Sequence, residues 1–163
     1  MIKIWKTIKP SQRKSILKEL QYLKKRGILL SPWIENIYLN KKNKIKLSKR
    51  SLKLYRIKVR NLGFKKPAKL DDIYKKIKKM KYCLVPPDIA LTTRLNYKNQ
   101  KKGEWLRFAT PFNSMIDTDG VPHLPKHGKA LNKLFIETYW AYKGAIFHPH
   151  NEFIITKDDF KKN

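Results

Sequence analysis

With 163 residues, 41% of them hydrophobic and 12% aromatic, the chain can bury one core and is too short for two ordinary ones. Its 39 basic and 12 acidic side chains leave a formal charge of +27; a polyanion is the natural partner of such a surface, and the aromatic content argues against disorder. The single cysteine, Cys83, excludes an intramolecular disulfide, and no run approaches the roughly 18 apolar residues of a membrane span.

From Ser11 to Arg26, Ile16, Leu17, Leu20 and Leu23 recur at helical spacing, with Pro10-Ser11 opening the segment and Gly27 closing it. Ser31-Pro32 gives a second start signal, and Trp33, Ile34, Ile37 and Tyr38 form an apolar face, so a short helix is expected over Pro32 to Leu39. The pair suggests a helix-turn-helix, but the would-be recognition helix carries Glu35 and no basic residue.

Between Lys41 and Arg60 there are ten Lys or Arg residues and no acid. Apolar Ile45, Leu47, Ile57 and Val59 alternate with cations, which predicts paired strands or a hairpin with one cationic face. Cations about 7 Å apart on such a face approach the spacing of phosphates along a strand. The same lysines would also protect an edge strand.

Leu70, Ile73, Tyr74, Ile77 and Met80 predict a helix, with Asp71 and Asp72 in its first turn and lysines at its end. Pro86-Pro87 opens another short one containing Asp88, Ile89, Leu91 and Leu95. Apolar runs at Glu104 to Ala109, Val121 to Leu124, Leu134 to Trp140 and Phe153 to Thr156 predict strands, punctuated by Gly103, Asp119-Gly120, His127-Gly128 and Lys143-Gly144. The expected architecture is α+β: N-terminal helices packed with a small antiparallel sheet, and a β-rich C-terminal third. Residues 1–40 form a helical, basic extension, 41–157 the α+β domain and 158–163 a polar tail.

Several of these landmarks together resemble a family of small uncharacterised bacterial proteins. They are Leu62-Gly63-Phe64, Asp72-Ile73-Tyr74, Leu84-Val85-Pro86-Pro87-Asp88-Ile89, Arg94-Leu95-Asn96-Tyr97, Gly103-Glu104-Trp105-Leu106-Arg107 and Asp117-Thr118-Asp119-Gly120. In that family an LGF precedes a short helix, followed by CPPEVGPQLRLQY, GEWLRIA and DSDG segments. The resemblance spans residues 28–156 and implies matching element boundaries. It brings no activity, cofactor or catalytic residue. Cys83 stands one residue before Leu84, whereas the family's cysteine directly precedes proline.

Charge guides the functional reading. Residues 1–81 hold 27 basic and 4 acidic side chains, against 12 and 8 in residues 82–163. Lys outnumbers Arg by 32 to 7, which favours loose contact with phosphates over bidentate reading of bases. The expected role is non-enzymatic binding of RNA or DNA backbone through Lys41, Lys42, Lys44, Lys46, Lys49, Arg50, Lys53, Arg56, Lys58 and Arg60, supported by the first helix. Tyr55 is the aromatic candidate for base stacking. A second reading is a metal-assisted hydrolase or nuclease using His123, His127, His148 and His150 near Asp117, Asp119 and Glu152. Pro125 breaks the helix that would align the first pair and Pro149 the strand that would align the second, which makes them loop and surface histidines instead. Asp117-Thr118-Asp119-Gly120 reads as a β-turn, since no acid follows at a calcium loop's bidentate position. Cys83 reads as a small apolar residue. A module for an acidic protein partner is the third reading, with an anionic lipid surface behind it. No cofactor is expected, the oligomeric state stays open, and the lone cysteine with no apolar leader in Met1-Ile2-Lys3-Ile4-Trp5-Lys6 points to the cytoplasm.

Overall fold

A computed structural model describes residues 2–159, so residues 160–163 of the expected tail lie outside the described residues. Strand β1 (Ile4–Ile8) is followed by α1 (Ile16–Lys25), β2 (Leu29–Leu30) and α2 (Pro32–Leu39). Next come β3 (Leu52–Lys58), β4 (Ala68–Lys69), α3 (Leu70–Lys79) and α4 (Asp88–Asn96). The chain then forms β5 (Leu106–Phe108), β6 (His123–Ala130), β7 (Lys133–Trp140), β8 (Ile146–Phe147) and β9 (Glu152–Thr156).

Caps set the helix ends. The Ser15 hydroxyl accepts from the Lys18 amide at 3.2 Å, so α1 starts four residues later than its sequence suggests, while Ser11 turns locally onto the Arg13 amide. Gly27, at φ +80°, closes α1. Its left-handed backbone lets the Ile28 amide reach back to the Leu23 carbonyl at 3.0 Å. Ser31 caps α2 through the Ile34 amide, with Pro32 in the first turn.

The fold is α+β, but the sheet is mixed rather than antiparallel. Its seven strands run in the order β1-β3-β9-β5-β6-β7-β2. The β5–β9 and β2–β7 pairs are parallel and the others antiparallel. Residues 1–40, expected as an extension, supply both edge strands, β1 and β2.

Helices cover both faces. On β9, Phe153 and Ile155 join the cluster beneath α3 and the short β4–β8 ribbon, while Ile154 joins the opposite cluster beneath α4. A third cluster ties α1 and α2 to Leu91 of α4 and Ile136 of β7. Helix α4 is enclosed: Asp88 through Arg94 are all buried, including four polar side chains. Enclosure on all sides explains why its sequence shows only a faint apolar stripe.

Two local expectations need correction. Residues Lys41–Asn43 form a 3₁₀ turn and residues 44–51 a loop, so the 41–60 run contains one strand, β3, and no hairpin. β3 lies inside the sheet between β1 and β9, where its apolar residues join core clusters on both faces while Lys53 stays exposed. His127-Gly128, expected as a turn, lies within β6. Pairing of β6 with β5 ends at Lys126, just before Pro125, which has no N–H to contribute.

Candidate nucleic-acid interface

The cationic loop owes its shape to its non-cationic residues. The Asn43 side-chain amide donates to the carbonyls of Ile37 and Ile116, and its oxygen accepts from the Ile116 amide. Ile45 and Leu47 pack against the α1–α2 core. Ser48 donates its amide, at 2.6 Å, and its hydroxyl, at 2.9 Å, to the Asp88 carboxylate at the start of α4. Lys44 and Lys46, between these anchors, and Lys49, just after the last, are exposed. The alternation visible in the sequence is therefore real, but it belongs to a pinned loop with apolar residues inward and lysines outward.

Across from the loop, Arg13 and Lys14 precede α1. Together with Lys41, Lys44, Lys46 and Lys49 they line a groove of about 730 Å³ whose apolar side is formed by Ile16, Leu17 and Tyr38. No carboxylate lines it. On the loop's other side, Arg50 borders a depression shared with Asp88 and Ser114. Lys42 turns away, beside Asp117 and Thr118. Lys53, Lys58 and Arg60 belong to β3 and the turn after it, outside the groove.

Arg56 and Tyr55 do not fit the role expected of them. Arg56 spans two carboxylates, with Nε 2.7 Å from Glu152 and Nη2 2.8 Å from Glu152 and 3.1 Å from Glu104. Burial alone would lower its pKa, but the hydrogen bonds and charges of Glu152 and Glu104 raise it above the ordinary value. Its charge is already paired by two carboxylates, and Nε and Nη2 are committed to them. Tyr55 is 6% exposed and packs edge-on against Tyr82 at 5.3 Å, so no ring face is open to a base.

The histidines are also placed differently. His123 and His127 are buried in β6, four residues and hence about 13 Å apart along a strand. His123 Nε2 lies 2.8 Å from Asp117 Oδ2, and its ring stacks on Trp33. His127 Nε2 lies 2.7 Å from the Ala90 carbonyl, and burial, helped by the Arg94 charge, pushes its pKa well below the ordinary range. His148 and His150 stack on each other, with ring centres 5.7 Å apart. Among the described residues no three His, Cys, Asp or Glu side chains converge as a metal-ligand set. The Asp117 turn closes on itself: Oδ1 accepts from the amides of Asp119 and Val121, both at 2.9 Å.

Asp88 makes the loop's anchor sensitive to pH. Burial pushes its carboxyl up to about 6, against the opposing pull of the Ser48 hydrogen bonds. A folded carboxyl raised above its unfolded value holds its proton longer than the unfolded chain does, so this group lowers stability as pH rises from about 4 to 6. Between pH 4 and 7 the wild type is expected to lose about 2 kcal/mol relative to Asp88→Asn. Urea unfolding of both proteins at the two pH values checks it; parallel pH profiles would contradict the assignment.

Comparison with protein-family models, curated proteins and solved structures finds no match to this chain. Among the described residues, no helix is long and apolar enough to cross a membrane.

Proposed function

We propose that the protein binds nucleic acid through the phosphate backbone, with the strand lying in the groove between the 41–50 loop and the approach to α1. The observation that carries this reading is the groove itself: six cations on its two sides and no carboxylate in its lining. Each phosphate seated there releases condensed counterions, which favours binding at modest salt without regard to base sequence. The preponderance of lysine agrees with contact to phosphates as point charges. The proposed setting is the cytoplasm of a bacterium.

The test is binding of a labelled 30-nucleotide single strand and its duplex across a salt series, with wild type, Lys44→Gln/Lys46→Gln/Lys49→Gln and Lys53→Gln/Lys58→Gln. Removing three phosphate contacts is expected to lower the slope of log Kd against log salt by about 2 to 3 and to weaken binding at least tenfold. The Lys53/Lys58 variant is expected to bind like the wild type. These three loop lysines are exposed, so melting temperatures stay within a few degrees. An unchanged slope in the triple variant overturns the reading.

A further inference from the structure

A second cleft, of about 650 Å³, lies on the other side of Arg13 from the groove, between the segment after β1, the second half of α1 and the end of α4. Its lining includes Lys9, Arg13, Arg26, Arg94 and Lys98 and again no carboxylate. Neutral hydrogen-bonding side chains fill much of the remainder, among them Thr7, Gln12 and Asn96.

Two of these cations are held in place. The Arg13 guanidinium lies 4.2 Å from the centre of the Tyr22 ring, and its Nε meets Glu19 Oε1 at 3.3 Å. Arg94 is fully buried, yet every acceptor around it is neutral. Nη1 donates to Gln100 Oε1 at 2.6 Å and to the Gly128 and Phe135 carbonyls at 3.4 Å, Nη2 donates to the Tyr97 carbonyl, and Nε has no partner. Glu104, whose charge reaches Arg94, is itself committed to Arg56 and to the Tyr97 hydroxyl. Arg94 is thus a buried cation without a carboxylate partner, an arrangement that costs free energy unless an anion completes it. Lys9, Arg26 and Lys98 are exposed around the cleft and form no ion pair among the described residues.

We propose that this cleft binds the terminal phosphate of a nucleotide-sized ligand, a phosphomonoester held by Arg13, Arg26 and Lys98 in front of the buried Arg94. A dianion suits several converging cations, and guanidinium forks match phosphate oxygens. The volume exceeds what phosphate alone would fill and falls in the range of small-molecule sites. A free mononucleotide and the phosphorylated end of a strand present the same group. The cleft shares Arg13 with the backbone groove, but its other cations, Lys9, Arg26, Arg94 and Lys98, lie outside the groove, so the two sites are tested apart.

Calorimetric titration of the full chain at low salt tests the proposal with adenosine, adenosine 5′-monophosphate, and a tetranucleotide with and without its 5′-phosphate. At least one phosphorylated probe is expected to bind tenfold or more tightly than its unphosphorylated counterpart. Preference shown by the mononucleotide identifies a free nucleotide as the ligand, and preference shown by the tetranucleotide alone identifies a strand end. Arg26→Gln/Lys98→Gln, both at exposed positions, is expected to erase the preference. The Lys44/Lys46/Lys49 variant, which loses more charge, is expected to keep it. No preference in the wild type, or a preference that survives Arg26→Gln/Lys98→Gln, overturns the proposal. Salt-dependent strand binding that persists through such a failure leaves the groove reading intact, and phosphate preference without strand binding leaves the cleft standing alone.

Discussion

Replacing Arg56 by Met is expected to lower stability by about 3 kcal/mol and to leave nucleic-acid affinity of the folded protein unchanged. Arg56 sits on β3 opposite Ile154 of β9, next to the Lys58–Glu152 pair. Its fork joins Glu152 to Glu104, and Glu104 in turn accepts from the Tyr97 hydroxyl at 2.6 Å. All three charged side chains are mostly covered, with 16 to 22% of their surface exposed. Removing the cation leaves two carboxylates facing each other in a shielded place, and the cost of breaking such a pair is about 3 to 5 kcal/mol when fully buried. Partial exposure puts Arg56 at the lower end. Adding Glu104→Gln and Glu152→Gln to the Met variant is expected to restore part of the loss, because the three positions act as a unit. Denaturant unfolding measures the first effect and strand binding the second. A variant with wild-type stability and weakened binding would return Arg56 to the nucleic-acid surface.

The second large effect is expected at Gly128. A Cβ built there falls 2.3 Å from Cζ3 of Trp105, well inside van der Waals contact with the ring. Trp105 lies across β6, with Phe135 at 5.9 Å and the Lys126 ammonium 4.4 Å from its ring centre. Gly128→Ala must therefore push the indole from this position, and overpacking of this kind costs about 1 to 3 kcal/mol. In a Trp105→Ala background the obstacle is gone, so the same glycine substitution is expected to change stability by less than about 0.5 kcal/mol. Equal costs in the two backgrounds would show that backbone freedom, rather than the indole, requires glycine at this site.

Gly128 also shows where sequence reasoning runs short. His-Gly after a proline resembles turn punctuation, and nothing local announces that a distant tryptophan needs the space a side chain would occupy. Helix α2 is the opposite case: Ser31, Pro32 and the apolar spacing set its observed bounds without help from tertiary structure. For α1 two serines compete as caps, and Ser15 wins although Ser11 follows the proline. β1 is short and its partner is β3, so Ile4 to Ile8 carries little strand signal of its own.

The candidate site was partly legible for the same reason. Alternation in 41–50 identifies which lysines share an exposed side, but strands and pinned loops share that pattern. Ser48 and Asp88 decide between them, and they are distant in sequence. Arg56 and Tyr55 could not be separated from their basic neighbours without knowing that β3 is an inner strand. Arg94 sits in a helix whose enclosure leaves no amphipathic cue, so the cationic cleft beside it has no linear signature.

The two edges of the sheet have a consequence for how the chain is made. β1 and β2 leave the ribosome early, but Leu29 has no partner until Phe135 follows, and Ile8 none until Leu52. The β2–β7 pair thus joins residues far apart in the chain, and long-range pairing of this kind slows folding. Until β1 and β2 have docked, β3 and β7 are open flanks on which another chain could add a strand. Residues 1–40 thus act as a clasp: docked, they cover both flanks of the sheet at once.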